Sequence, residues 1–202
     1  MHTPLLAIDT AAPRLQLALL IGDRADTLVE DMAQGQAERL IPAIDELLAR
    51  NSITYADLRR IAVTTGPGSF TGLRIGLSAA RGFGLALDIP VVGVPSLLAL
   101  SLATQCTQLA VLLDARRDEA YFQVFSGPGI PVGHPELLPI AEARRQVPVG
   151  ADLITSAFVD IAALTRFAAT LDPAAYPPDA AYIRDADAKA QEKFRVARVT
   201  PS

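Results

Sequence analysis

IAVTTGPGSFTGLRIGLSAARGFGLALDIPVVGV, running from Ile61 to Val94, decides how the rest of the chain is read. Ile61–Thr65 is β-branched and apolar and is closed by Gly66-Pro67-Gly68, which predicts a buried strand ending in a tight turn. Ser69 is placed to cap a helix, its hydroxyl accepting a backbone N–H that has no partner in the first turn. That helix is expected over Phe70–Leu87, with Pro90 stopping it before the apolar run at Val91. Within it Gly72, Gly76, Ala80 and Gly84 recur every four residues. Glycine costs a helix roughly 1 kcal/mol relative to alanine, so close approach of another backbone is expected to offset the loss.

A glycine-rich turn before a helix also suits phosphate, because the helix N-terminus presents unpaired N–H groups and a positive dipole end. The spacing argues otherwise. No lysine follows the glycines, and the dinucleotide pattern G-x-G-x-x-G is broken at Thr71. Gly66, Pro67, Gly68 and Ser69 are therefore read as a structural turn.

The 202 residues are 50% apolar, enough for one large or two small domains that bury about 70% of the unfolded surface. Cys106 is the single cysteine, which excludes an internal disulfide and a thiolate metal cluster. A net charge of −4 argues against a self-sufficient nucleic-acid binder, whose affinity comes from basic residues neutralising phosphates. No secretory leader is read at the start, where Asp9 interrupts the apolar run from Leu5, and a cytoplasmic protein with no membrane partner is expected.

Leu5–Asp9, Leu15–Ile21 and Thr27–Met32 read as three strands joined by short turns, an antiparallel meander. Gln36–Asn51 is amphipathic: Ala37, Leu40, Ile41, Ile44, Leu47 and Leu48 form one apolar stripe, with Glu46 and Arg50 spaced as a pair on the wet side. Pro42 lies inside it and is expected to kink its first turns. Ser96 is placed to cap a short helix to about Ala103. The first half is thus a mixed α/β layer, its parallel strands joined through two long helices.

From Leu109 the pattern restarts. LAVLLDARRDEAYFQVF repeats the plan of LLAIDTAAPRLQLALLI, with Asp114 in the place of Asp9, at a spacing of about 105 residues. Two related lobes follow, 1–104 and a reduced 105–202. Ser126–Pro148 is rich in proline and turns, Ala157–Leu171 is expected as a helix, and Ala180–Ser202 as a tail of mixed charge.

LAIDTA at Leu6–Ala11, TTGPGSFTGLRIGLSAARGFGLAL at Thr64–Leu87, LLDARRDEAYFQVF at Leu112–Phe125 and AAYIRDADAKA at Ala180–Ala190 resemble the TsaB/YeaZ family of the Gcp/TsaD-like superfamily. These are accessory subunits in the synthesis of N6-threonylcarbamoyladenosine in bacterial tRNA. The resemblance implies an actin/hexokinase/Hsp70-like (ASKHA, ribonuclease H-like) α/β fold of duplicated lobes. It also implies a non-catalytic scaffold that pairs with a TsaD-like catalytic paralogue, is joined by a TsaE-like ATPase, forms a homodimer when alone, and meets tRNA only through the complex.

Placed on this sequence, the implied interface falls on Leu40, Ile44 and Leu47 of the first long helix and on Gly72, Ile75, Gly76, Ala79 and Ala80 of the second. No metal, cofactor or catalytic residue is expected. The catalytic paralogue holds its metal with paired histidines, whereas the matching segment here is Gln34-Gly35-Gln36-Ala37-Glu38, and His2 and His134 lie far from it. Asp9, Thr10 and Asp114 stand where the fold's nucleotide-binding members cradle phosphate, but neither turn contains glycine, so they are read as vestigial. Two other readings stay open: an ATP- or metal-dependent enzyme of the same superfamily, a carbamoyl transferase or glycoprotease, and direct tRNA contact by Arg184, Lys189, Lys193, Arg195 and Arg198 of the tail.

Overall fold

The computed structural model describes residues 3–181, which build two sheets with helices between and outside them. Strands β1 (Leu5–Asp9), β2 (Arg14–Ile21) and β3 (Arg24–Asp31) form the expected antiparallel meander. Helix α1 (Gln36–Arg50) leads to β4 (Arg60–Thr64), and helix α2 (Phe70–Leu87) to β5 (Val91–Val94). Both strands join parallel to β1, giving the order β3-β2-β1-β4-β5.

The two faces of this sheet follow the alternation of side chains along its strands. Leu6, Ile8, Leu15, Leu17, Leu19, Ile61 and Val63 pack under α1 and α2. Leu5, Ala7, Ala18, Leu20 and Ala62 face the other way, into a core shared with the second half of the chain.

After α3 (Ser96–Ser101), the strands β6 (Leu109–Arg116), β7 (Glu119–Phe125) and β8 (Pro131–Pro139), helix α4 (Ile140–Arg145) and strand β9 (Asp152–Ile154) repeat the plan of β1 to β4. Their order, β8-β7-β6-β9, is that of β3-β2-β1-β4, with β9 parallel to β6. The duplicated α/β fold is thus present, its second lobe one strand short and its α4 a fraction of the length of α1. Helix α5 (Ile161–Thr170), although it follows β9, packs on β1, β2 and β3, while α3 packs on β6 and β7. Each lobe lends a helix to the other's sheet, and one apolar core runs between them.

Several local expectations are corrected. Ser96 does not cap α3: Pro95 holds that position, and the Ser96 hydroxyl is buried with no hydrogen-bond partner. Arg50 does not pair with Glu46. It reaches across to Asp26 at 2.7 Å, and Glu46 pairs with Arg39, which also holds Glu30. Helix α1 runs unbroken through Pro42, whose ring lies on its exposed side. Strand β8 lies in the segment read as turns. Pro131, Pro135 and Pro139 are tolerated because β8 is an exposed edge strand, where a missing N–H costs no ladder bond. The tail from 182 onward, with its proposed tRNA contacts, lies outside the described residues.

The glycines of α2 allow a close approach, made within the same lobe. A Cβ on Gly72 would sit 1.9 Å from the Thr10 carbonyl oxygen, and one on Gly76 would sit 2.6 Å from the Thr10 hydroxyl. Gly82, on the same helix, faces open space. Gly72→Ala is therefore expected to destabilise the protein by about 3 kcal/mol through overpacking, and Gly82→Ala to stabilise it by up to about 1 kcal/mol. Urea unfolding of the two variants checks this, and equal midpoints would remove the contact from its structural role.

Candidate functional site: the helix groove and the interlobe cleft

The eight positions expected at a partner interface divide by burial. Leu40, Ile44 and Leu47 are 2%, 0% and 0% exposed, held between α1 and the sheet. Gly72, Gly76 and Ala80 are buried too, on the face of α2 that presses on Thr10 and the strands. Ile44, Leu47, Gly72, Gly76 and Ala80 are corrected to core positions, because a helix lying on a sheet turns its most apolar line inward, whereas Leu40 lines the floor of the groove between the helices. Ile75 and Ala79 stand on the shoulder of α2 and remain half-buried.

That shoulder meets the shoulder of α1 in a groove of about 540 Å³. Ala37, Leu40 and Ile41 line it from α1, and Phe70, Arg74, Ile75 and Ala79 are among its lining from α2. Ile41 is 44% exposed and Phe70 55%, large apolar surface for one place on a protein. The Arg74 guanidinium lies 3.8 Å above the Phe70 ring, a cation–π contact that keeps a charge at the edge of the apolar floor. Ile41 was visible in the sequence as one margin of the apolar stripe. Phe70 and Arg74 carried no periodic signal, since the helix start gives no second turn to compare them with.

On the other side of the α2 N-terminus a cleft of about 450 Å³ separates the lobes, lined by Asp9, Gly68, Ser69, Asp114, Arg116 and Tyr121 among others. Asp9 is fully buried. Its carboxylate accepts from the Thr64 hydroxyl at 2.6 Å, the Gln16 amide at 3.0 Å and the Ala11 N–H at 3.1 Å. Burial pushes its pKa up, against the lowering effect of those three donors. Asp114 occupies the matching place in the second lobe and is exposed, accepting from the Arg116 N–H at 2.7 Å. The turn after it holds Arg116, Arg117 and Asp118 at positive φ with no glycine, and the last two are the centre of a two-residue hairpin loop of the type I′ kind. Thr10 donates its hydroxyl to the Gly72 carbonyl at 2.7 Å.

The turn Gly66-Pro67-Gly68-Ser69 is tied to its own lobe. The Ser69 N–H donates to the Ala11 carbonyl at 2.7 Å, and the Gly66 carbonyl accepts from the Ser96 N–H at 2.7 Å. Gly68 is required because a Cβ there would lie 2.7 Å from the Ala11 oxygen. The Ser69 hydroxyl accepts from the Gly72 N–H, the cap expected from the sequence.

Comparison with known proteins fits this architecture. Residues 30–127, which include both groove helices, match the TsaD family, described as tRNA N6-adenosine threonylcarbamoyltransferase. The chain is 34% identical over 122 residues to the tRNA threonylcarbamoyladenosine biosynthesis protein TsaB of Haemophilus influenzae, covering 58% of this chain and 52% of that one. It is 38% identical over 172 residues to an uncharacterized protein of Mycobacterium tuberculosis, covering 72% and 81%. YeaZ from Pseudomonas aeruginosa has the same fold, at a TM-score of 0.74 and 24% identity over 89% of this chain and 99% of that one.

The chain belongs to the TsaB/YeaZ family. The match spans about half the length of the Haemophilus TsaB and likewise 52% of the Bacillus subtilis TsaB, to which the chain is 36% identical over 123 residues. Among the described residues no helix is long and apolar enough to cross a membrane.

The buried Asp9 makes a family member's stability depend on pH in a direction that can be checked. Its folded pKa lies above the ordinary 3.8, so the folded state binds more protons than the unfolded state between those two values. The Asp9 contribution is therefore full below about 4 and is lost as the pH rises through the raised value. Glu30 and Glu46 act oppositely, since hydrogen bonds from Arg39 hold both below the usual range. Subtracting an Asp9→Asn variant isolates the first effect. In chemical denaturation from pH 4 to 8, the stability of the wild type relative to Asp9→Asn is expected to fall with rising pH and then level, and a rise would contradict the assignment.

Proposed function

We propose that this chain is a non-catalytic accessory subunit in the biosynthesis of N6-threonylcarbamoyladenosine in tRNA, and that the groove between α1 and α2 is its docking face. The partner is a TsaD-like catalytic paralogue, with a TsaE-like ATPase joining the pair; tRNA is met only through the complex. When alone, the chain uses the same groove to form a homodimer.

The observation that carries this reading is the groove. It offers Ile41, Phe70, Ile75 and Ala79 as a half-open apolar surface with one cation at its edge, a composition that suits a desolvated protein contact. The names of the relatives support the pathway. The geometry of the cleft supports an accessory role. Asp9 already accepts three hydrogen bonds, and the Ser69 N–H at the start of α2 is bonded to the Ala11 carbonyl, so neither is poised for a substrate.

Ile41→Glu and Ala79→Glu are expected to weaken association with the TsaD-like paralogue at least tenfold while leaving the helix content of the isolated chain, read by circular dichroism, nearly unchanged. Leu85→Glu, 87% exposed on the same helix and outside the groove, is the control and is expected to bind normally. Co-purification with the paralogue and a tRNA modification assay read both effects. Full modification with Ile41→Glu would remove the groove from the contact. Calorimetry of the isolated chain with ATP and magnesium or zinc tests the enzyme reading, which requires saturable binding.

A further inference from the structure

Four arginines stand on α1 and α2, and three of them are paired within the chain. Arg39 holds Glu30 and Glu46 at 2.6 and 2.7 Å, Arg50 holds Asp26 at 2.7 Å, and Arg81 holds Asp179 at 2.6 Å. Arg74 is the fourth, and no carboxylate of the described residues pairs with it. It is exposed at the edge of the groove, its guanidinium against the Phe70 ring. That contact orients the cation but leaves its N–H donors without an acceptor, because the ring has no lone pair to offer.

A protein seated in the groove takes those donors out of water. An unpaired guanidinium is costly to bury, whereas a carboxylate that meets it in the plane of its fork offsets much of that cost with two charge-assisted hydrogen bonds. The groove holds no such group of its own, since none of its lining residues is acidic. On the exposed side of α1, Asp45 already accepts from the Tyr55 hydroxyl at 2.7 Å and Glu46 pairs with Arg39. Glu38, in the first turn of α1 and outside the lining of the groove, is the one acid of that helix with no bonded partner among the described residues.

Resting on the reading of the groove as a docking face, we infer that Arg74 selects the occupant: the preferred partner is a protein that sets a carboxylate opposite its guanidinium. A second copy of this chain, which seats Arg74 against a groove without an acid, is the poorer fit. The apolar floor of Ile41, Ile75 and Ala79 attracts either one, so the discrimination falls to the cation, which rewards one partner and is left buried and unpaired by the other.

The test compares two associations of the full chain, with itself and with the TsaD-like paralogue of the same genome. Arg74→Gln is expected to weaken association with the paralogue about tenfold and to strengthen self-association about threefold, with the helix content unchanged by circular dichroism. Raising the salt from about 0.05 to about 0.5 M is expected to weaken the wild-type complex with the paralogue more than that of Arg74→Gln. In the Arg74→Lys complex, a carbodiimide is expected to couple the introduced amine to a carboxylate of the paralogue, which peptide mass spectrometry locates. A paralogue affinity within twofold of the wild type in Arg74→Gln, or a shift of both associations in the same direction, would overturn the inference. So would a self-association weakened alike by Arg74→Gln and Glu38→Gln, which would give the cation to a second copy. The docking reading fails separately: Ile41→Glu would then leave both associations intact, whereas Ile41→Glu weakening both while Arg74→Gln moves neither removes Arg74 alone.

Discussion

The contact between Gly72 and Thr10 sets the position of the helix on which the proposed function rests. The Thr10 carbonyl occupies the space that any side chain at residue 72 would fill, and its hydroxyl donates to the Gly72 carbonyl at 2.7 Å. Helix α2 is thereby seated on the β1–β2 turn by backbone rather than by interdigitated side chains. At the other end Gly84 makes room for a side chain instead, since a Cβ there would lie 2.3 Å from a Val91 methyl. A helix sunk this deep hides one face completely. Its shoulder, Ile75 and Ala79, is brought level with the shoulder of α1, and the groove is the space left between the two.

The groove also lies on the side of the first sheet away from the interlobe core. On that hidden side α5 crosses β1 and β2, and the Arg60 guanidinium donates to the carbonyls of Ala168, Ala169 and Leu171 at the C-terminal end of α5. The exchange of α3 and α5 between the lobes joins the two sheets through one continuous apolar core. A partner docked as proposed would therefore meet a preformed surface and need not disturb the packing that holds the lobes together. Such a division suits a subunit whose task is to be held rather than to open and close.

Much of the fold was legible because local signals and global packing agree. Helix α2 has the bounds its capping serine and its apolar run predict, and the duplicated plan was visible in two aspartates that each end an apolar strand. The groove was not legible residue by residue. A stripe such as Leu40, Ile41, Ile44, Leu47 and Leu48 shows which side of a helix is apolar, but the sheet below takes the middle of it and leaves the margin, Ile41 with Leu40 beneath it, at the groove. Periodicity cannot separate core from shoulder, because that depends on how deeply the helix is seated. Strand β8 was missed for another reason: three prolines are turn signals in isolation, and only its place at a sheet edge makes them compatible with a strand.

The two aspartates carry the argument about the cleft furthest. Each accepts the N–H two residues on, from Ala11 and from Arg116, so the duplicated turns keep the same local bond. Around it they have diverged. Asp9 has been drawn into the sheet, where Thr64 and Gln16 complete its hydrogen bonding and bind β1 to β2 and β4. Asp114 stays at the surface beside a turn of three left-handed residues that has no glycine to let a ligand approach the backbone. A pair of turns that grips a polyphosphate needs N–H groups aimed into the cleft, and here those of Ala11, Ser69 and Arg116 are bonded to the chain itself. The hydrogen bonds that tie the turns of the first lobe together are the same ones that occupy the Asp9 carboxylate and the N–H groups of Ala11 and Ser69.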